Sequence, residues 1–478
     1  MSKNKNEKER NPDSRIERDW LGEKEVPADA LYGIHTVRAL ENFPISGQKA
    51  IPEFIAALAM VKKAAAVANM RIGRLNEDIG LAIRDAADEI IHGKWHDQIV
   101  VDVFQAGAGT SLNMNMNEVI ANRALELLNL PKGSYDVINP NDHVNMSQSS
   151  NDVFPTAMRI TALKLGNRLL ESLSELEDVL WSKADEFDHV LKSARTHLRD
   201  AVPIRLGQEL AAYAVTIGKV SRHVHIAMES LKELNIGATA VGTGINSTIA
   251  YRVIALDELK EYTEMEDLRP PESWVEVTQS ANDFLDISGA VRDTAVALMK
   301  IAGDIILMYS GPMTGFAEID LPVAQAGSSI IPGKVNPSMA EVLEMVCCQV
   351  IGNDSVIAHA ARSGRLDLNT MTPVIARNLF ESLIILRNAV SVFTEKALRG
   401  MVANEERCRT FAENSLGLAT ALSPKIGYQA ASMVAQEALL TGKSIREVII
   451  ENGLLTPEEL DRLLKPDVLT EPGIPDTS

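Results

Sequence analysis

Thr156–Ala194 reads TAMRITALKLGNRLLESLSELEDVLWSKADEFDHVLKSA. Its apolar side chains at Ile160, Leu163, Leu170, Leu173, Leu176, Leu180, Ala184, Phe187 and Leu191 fall in steps of three, four or seven, one stripe along an α-helix. At 1.5 Å per residue such a helix is about 55 Å long. The rhythm returns in Leu206–Leu231, through Leu210, Tyr213, Ile217, Val220, Val224 and Met228. Further stretches run from about Phe284 to Tyr309, Met339 to Arg362 and Val374 to Leu398. Long amphipathic helices in one continuous region must bury their stripes against each other. The expectation is an all-α protein with a central long five-helix bundle.

Shorter helical patterns flank the bundle, at Ile51–Met70, Glu77–His92 and Asn117–Leu130. The turn-rich KGSYDVINPNDHVN (Lys132–Asn145) marks a boundary, and TPEEL (Thr456–Leu460) opens a small helix behind a threonine cap. Three domains are expected: 1–147, a bundle at 148–404, and a small helical C-terminal domain at 405–478. Residues 1 to about 14 read as a solvated tail, and the proline-rich KPDVLTEPGIPDTS as a loose one.

Lysine and arginine number 47 against 65 aspartates and glutamates, a formal charge of −18. That balance disfavours nucleic acid and anionic membrane as partners, because both require a basic face. Cys347, Cys348 and Cys408 cannot build a disulfide framework, which points to a reducing, cytoplasmic compartment. The N-terminus lacks the apolar core of a signal peptide, and no apolar run reaches the ~18 residues of a membrane span.

Four polar clusters interrupt the helices. GAGTSLNMNMNE (Gly107–Glu118) combines glycines, which let a backbone approach a ligand, with the small donors Thr110, Ser111 and Asn113. A helix-capping turn explains it equally well, and no lysine follows in P-loop spacing. NMSQSSNDVFPT (Asn145–Thr156) places Ser147, Ser149, Ser150 and Asn151 ahead of the first bundle helix, more polar residues than one N-cap uses. A helix N-terminus also attracts carboxylates. ARTHLRDAVP (Ala194–Pro203) sets Thr196 and His197 among Arg195, Arg199 and Asp200, a richer setting than a lone structural histidine has. QAGSSIIPGKVNPSMAE (Gln325–Glu341) is a glycine- and proline-rich loop carrying Ser328, Ser329, Lys334 and Asn336. Its apolar Ile330 and Ile331 set it apart from an ordinary surface loop.

No metal site is expected, since the nine histidines are dispersed and His223 and His225 face apart on a helix. No GxGxxG fingerprint occurs. Small neutral donors and one lysine describe a pocket for carboxylates that calls on no cofactor.

GSSIIPGKVNP closely resembles the signature loop of the aspartase/fumarase superfamily, usually GSSxMPxKxNP. The other clusters match the family's remaining blocks in order. Similarity runs from RIERDWLGEKEVPADALYGIHTVRALENFPIS (Arg15–Ser46) almost to the end. Within the superfamily the chain is most similar to the aspartate ammonia-lyases, by Met146, Leu198 and Ala238 in GATAVGTG, whereas Ser150 gives the SSND of class II fumarases.

The resemblance implies removal of a proton next to a carboxylate, then loss of ammonia from L-aspartate to leave fumarate. Class II fumarate hydratase is the alternative, and a non-catalytic helical assembly protein a lesser one. By resemblance the base is Ser328. Thr110, Ser149, Ser150, Thr196, Lys334 and Asn336 hold the aci-carboxylate dianion, His197 and Asn151 meet the amino group, and Glu341 orients the imidazole. The family also implies a homotetramer whose active sites each draw on three subunits. Against the family's usual residues, Met313 replaces arginine, Arg199 glutamine, Arg362 and Arg365 glutamate and glutamine, Thr372 glutamate, and Ile331 the loop methionine. These exchanges carry the expectation of either drifted subunit contacts or a rearranged pocket charge.

Overall fold

A computed structural model describes residues 13–474. The chain opens with a hairpin of β1 (Ser14–Asp19) and β2 (Gly22–Pro27), followed by α1 (Ile34–Asn42), α2 (Pro52–Arg71), α3 (Glu77–Ile91) and α4 (Thr110–Leu127). Next come α5 (Ser150–Glu186), a second hairpin of β3 (Leu191–Thr196) and β4 (Arg199–Arg205), α6 (Leu206–Ala227), α7 (Ile249–Thr263), α8 (Glu276–Gln279) and α9 (Asn282–Tyr309). β5 (Ile319–Asp320) precedes α10 (Ser338–Ala361) and α11 (Thr372–Phe393), and β6 (Val402–Ala403) pairs back with β5. The C-terminal region holds α12 (Glu405–Asn414), α13 (Leu418–Ile426), α14 (Tyr428–Thr441), α15 (Ile445–Glu451), α16 (Pro457–Leu463) and α17 (Pro466–Thr470). Among the described residues the protein is all-α apart from three short antiparallel strand pairs and two isolated bridges.

The five long helices α5, α6, α9, α10 and α11 stand where the periodicity puts them. On α5, Ile160, Leu163, Leu173, Leu176, Leu180 and Ala184 are buried, as is Phe187 just past its end, while Leu169 is buried in place of the half-exposed Leu170. The helix ends at Glu186, before the expected Ala194. Leu191, in step with the stripe, lies in β3 instead. α4 starts at Thr110, seven residues before the apolar pattern begins, because its first turns bury asparagines and methionines together. Residues 1–12 of the expected N-terminal tail lie outside the described residues, as do 475–478. The rest of the C-terminal stretch is not loose: Arg205 donates to Thr470 Oγ1 at 3.1 Å and to Glu471 Oε1 at 2.6 Å, and Gln208 donates to the Thr470 carbonyl at 3.0 Å.

Contacts divide the chain into two compact units. One extends to Arg168 and includes Val224–Arg292 and Val350–Ile384; the other comprises Leu169–His223, Asp293–Gln349 and the chain from Ile385. In the first, Leu58, Ile83, Ile90, Met116 and Ile120 are fully buried, and Phe54 packs on Phe154 and Phe380 at ring distances of 5.0 and 5.2 Å. α4 braces this unit with polar side chains. Glu118 accepts from the amides of Gly33, His35 and Thr36 at the start of α1, where a carboxylate suits the helix N-terminus. Asn115 and Asn122 hold the Gln98 and Leu31 carbonyls.

In the second unit Leu173, Leu176, Leu210, Ile217, Leu298, Ile305, Leu343, Leu386 and Val390 are fully buried. A separate cluster of Leu418, Leu422, Val434, Ile445, Val448, Ile449, Leu460 and Leu463 holds the C-terminal helices. Thr456 caps α16 in a reciprocal capping box with Glu459, at the place the sequence marks. Among the described residues no helix is long and apolar enough to cross a membrane.

In the first unit Arg123 donates to both oxygens of Glu89, at 2.7 and 3.0 Å, and Trp95 Nε1 adds a bond at 2.8 Å. Chiefly through Arg123, the Glu89 carboxyl is held down at about 2, from an ordinary 4.5. A depressed folded-state pKa contributes stability that is present above 4.5 and lost as pH falls through about 2. Glu89→Gln is therefore expected to lower the melting temperature at neutral pH and to flatten its decline over that acid window, as scanning calorimetry would record; an unchanged acid limb would contradict this.

Candidate active site

The two clusters of the first unit meet at the starts of α4 and α5. Gly107, Ala108 and Gly109 all have positive φ (80, 53 and 88°), which turns the backbone sharply into Thr110. A Cβ on Gly109 would lie 2.1 Å from the Phe154 ring, so only glycine fits this approach. Asn113, almost fully buried, donates to Ser150 Oγ at 3.0 Å and to Asn145 Oδ1 at 3.2 Å, joining the first cluster to the second. Thr110 is exposed, and Ser111, Ser149 and Asn151 are half-exposed.

Asp152 fixes the α5 start from below. Its Oδ1 accepts the Ser149 amide at 2.9 Å, and its Oδ2 accepts the amides of Gly237 and Thr239 at 3.1 and 2.9 Å. The GATAVGTG segment is thereby clamped to the SSND turn, and Asn151 adds a bond to the Ala240 carbonyl at 2.7 Å. Burial pushes Asp152 up to about 6 against the pull of those amides. Beneath the turn Lys62 is fully buried, donating to Asn145 Oδ1 at 3.0 Å and Gln148 Oε1 at 2.9 Å. Loss of hydration pulls its ammonium down to about 7, opposed by the charge of Asp152.

Nothing in the sequence motifs marks Lys62, Asn145, Gln148 and Asp152 as supports. A signal for Lys62 did exist: with Ile55, Leu58, Ala65 and Asn69 it steps by three and four along the buried face of α2.

The remaining candidates lie in the second unit. Thr196 and His197 stand at the tip of the β3–β4 hairpin, both exposed. Thr196 pairs with Arg199, so the turn is His197-Leu198, with φ of 54 and 58°. Two positive φ values are what a type I′ hairpin requires, here met without glycine or asparagine. Within the loop, Ser328 Oγ accepts the backbone amides of Ile330 and Ile331 at 3.2 and 2.9 Å. Two donors aimed at one hydroxyl oxygen favour negative charge on it. The loop is pinched at its base: a Cβ on Gly327 would fall 1.8 Å from the Lys334 carbonyl oxygen. Lys334 is exposed with no ion pair among the described residues; Asn336 and Glu341 are half-exposed. No hydrogen bond joins Glu341 to His197 within this unit.

Of the exchanged positions, Met313 is 87% exposed and Arg199 lies beside the hairpin tip. Arg362 and Arg365 are exposed in the first unit, where Thr372 is buried at the start of α11.

A family model described as lyase matches residues 22–352, and one described as fumarase C C-terminus matches 418–471. The chain belongs to the aspartase/fumarase lyase family. Among its relatives, the aspartate ammonia-lyase of Bacillus sp is 50% identical over 464 residues, 97% of this chain and 99% of the relative. In three dimensions it is similar to the cobalt-bound fumarate lyase:delta crystallin of Brucella melitensis, with TM-score 0.93 and 46% identity, covering 96% of this chain and 100% of that one. The recombinant class II fumarase of Schistosoma mansoni gives 0.91 at 37% identity, covering 95% and 98%.

Gly327→Ala is expected to split the loop base and expose the Ile330 and Ile331 amides. Hydrogen exchange followed by mass spectrometry would show lost protection across residues 327–335; retained protection would mean the pinch does not hold the loop.

Proposed function

We propose that the protein is a carbon–nitrogen lyase that reversibly converts L-aspartate to fumarate and ammonium. The observation that carries this reading is the Ser328 hydroxyl oxygen facing two backbone amides in a pinched loop. The relatives named aspartate ammonia-lyase support the choice of substrate.

The Ser328 alkoxide takes the proton from the carbon next to the side-chain carboxylate. The electron pair left behind moves into that carboxylate, giving an aci-carboxylate dianion. Such a proton is very weakly acidic, so the dianion must meet preorganised donors. Thr110, Ser149, Ser150, Thr196, Lys334 and Asn336 take that part, with Ser111 and Asn113 completing the pocket wall. The dianion then collapses to the carbon–carbon double bond and breaks the carbon–nitrogen bond. His197 and Asn151 hold the departing amine. No step calls on a metal or a cofactor.

The donors fall in two separate units of the chain, in keeping with a homotetramer whose sites draw on three subunits. The bundle helices also expose Trp181, Val215, Ile226, Val296, Met345 and Val356. Apolar surface on the long helices is what further copies would cover. On this reading the pairing of Glu341 with His197 forms across the subunit interface. The cytoplasm is the compartment, and neither nucleic acid nor membrane is a partner.

Purified protein incubated with L-aspartate is expected to produce fumarate, followed by its ultraviolet absorbance, and Ser328→Ala to lower turnover by about 10²-fold or more. Fumarate from L-malate alone would instead establish the hydratase that the SSND turn and the fumarase likeness keep in view. Arg199→Gln with Met313→Arg is expected to change the ranking of aspartate against related amines and hydroxy acids. An unchanged ranking would assign those positions to subunit contacts.

A further inference from the structure

Glu318 is fully buried and belongs to none of the segments assigned above to the substrate. Its carboxylate faces two cations of β3. Arg195 Nη1 donates to Oε1 at 2.7 Å, and Lys192 Nζ stands 2.8 Å from Oε2 as an ion pair, off the line of a hydrogen bond. Lys192 also bonds Glu209 on α6 at 2.7 Å, so two cations balance two carboxylates.

Arg195 is held on its faces as well as at its edge. Its guanidinium lies 4.2 Å from the Phe316 ring centre and 5.3 Å from that of Phe411. Arg407 covers Phe411 at 4.3 Å and donates to the carbonyls of Gly315 and Phe316, both at 3.1 Å. A planar guanidinium gripped by a carboxylate and by rings keeps little rotational freedom. The main chain of Glu318 is equally fixed. Its amide donates to the Met308 carbonyl at 2.8 Å, and its carbonyl accepts from the Asn404 amide at 2.9 Å and from Cys408 Sγ at 3.5 Å.

The neighbour of Arg195 in sequence is Thr196, and His197 follows with φ of 54°. A two-residue turn with both members in the left-handed region and neither a glycine persists only when its surroundings impose it. Nor is a buried charge cluster by itself an efficient stabiliser, since well-packed apolar side chains often do as well. The arrangement is better explained by what it fixes in space.

We propose that Glu318 is a positioning residue for the lyase reaction, holding Thr196 and His197 against the substrate through Arg195. This role rests on the assignment of Thr196 and His197 to substrate contact. Glu318→Gln keeps the size of the side chain and removes its charge, and is expected to lower kcat/KM for aspartate by about 10²-fold, the effect of a misplacement near 1 Å. Lys192→Met breaks the same buried cluster but leaves the Arg195–Glu318 bond, and is expected to lower the melting temperature while kcat/KM stays close to wild type. Arg195→Lys is expected to reproduce the Glu318→Gln loss, and the double variant to be no worse than either single one, because both act through one link. Wild-type kcat/KM in Glu318→Gln would overturn the role. So would a Lys192→Met loss as large as that of Glu318→Gln, or losses that add in the double variant. Thr196→Ala, measured alongside, separates the two levels: if it leaves turnover untouched, the hairpin is not in the site, and the role of Glu318 falls with that assignment.

Discussion

A helix of 37 residues must bury one apolar stripe along nearly its whole length, and α5 is that helix. Leu173, Leu176 and Leu180 are fully excluded from water in the second unit, while Ile160 and Leu163 are buried in the first. Each buried leucine is worth about 2 kcal/mol of transfer free energy, so no local preference along the helix competes with the stripe. The connections are left to carry chemistry. Thr110, Ser150, Thr196 and Ser328 all stand at helix starts, a hairpin tip or a loop. At such places the backbone has amides to spare or a turn to expose.

Beneath those connections lie charges that a core does not ordinarily hold. Lys62 and Asp152 are both fully buried under the start of α5. Burial disfavours the charged form of each, pulling the lysine down and pushing the carboxyl up. Lys192, Glu318 and Arg195 form a corresponding group behind the hairpin. In both units the buried charges bind segments that adjoin or bear candidate site residues: the Asn145–Gln148 turn beside Ser149 and the GATAVGTG segment bonded to Asn151 in one, β3 with Thr196 in the other. Directional charged contacts fix a position more sharply than apolar packing does, because a displaced charge in a low-dielectric interior loses its partner at once.

The long helices were legible because their stripes repeat over many turns. Sequence and structure part where a pattern continues by coincidence or is absent. Leu191 keeps step with α5 yet belongs to β3, since a single apolar residue in phase cannot distinguish a helix end from a strand start. The His197-Leu198 turn was hidden because neither residue announces a positive φ. In sequence the first turns of α4 form a polar cluster, although Asn113, Asn115 and Asn117 are buried there. Buried asparagines leave no apolar period, and their partners, at Asn145, Ser150 and Gln98, lie elsewhere in the chain.

The sequence by itself determined the all-α class, the five long helices, the capped start of α16 and the four polar clusters. All of these depend on spacing or on motifs contained within one stretch of chain. Only the tertiary structure decided that Lys62 supports the Asn145–Gln148 turn ahead of SSND, that Asp152 clamps GATAVGTG, that Gly327 pinches against Lys334 and that Glu318 grips Arg195. Gly327 and Lys334 are close in sequence, but their contact exists only once the loop has turned back on itself. The other contacts join residues dozens of positions apart or more. Their energies depend on distance and on exclusion of water, which are properties of the folded chain and leave no periodicity in its letters.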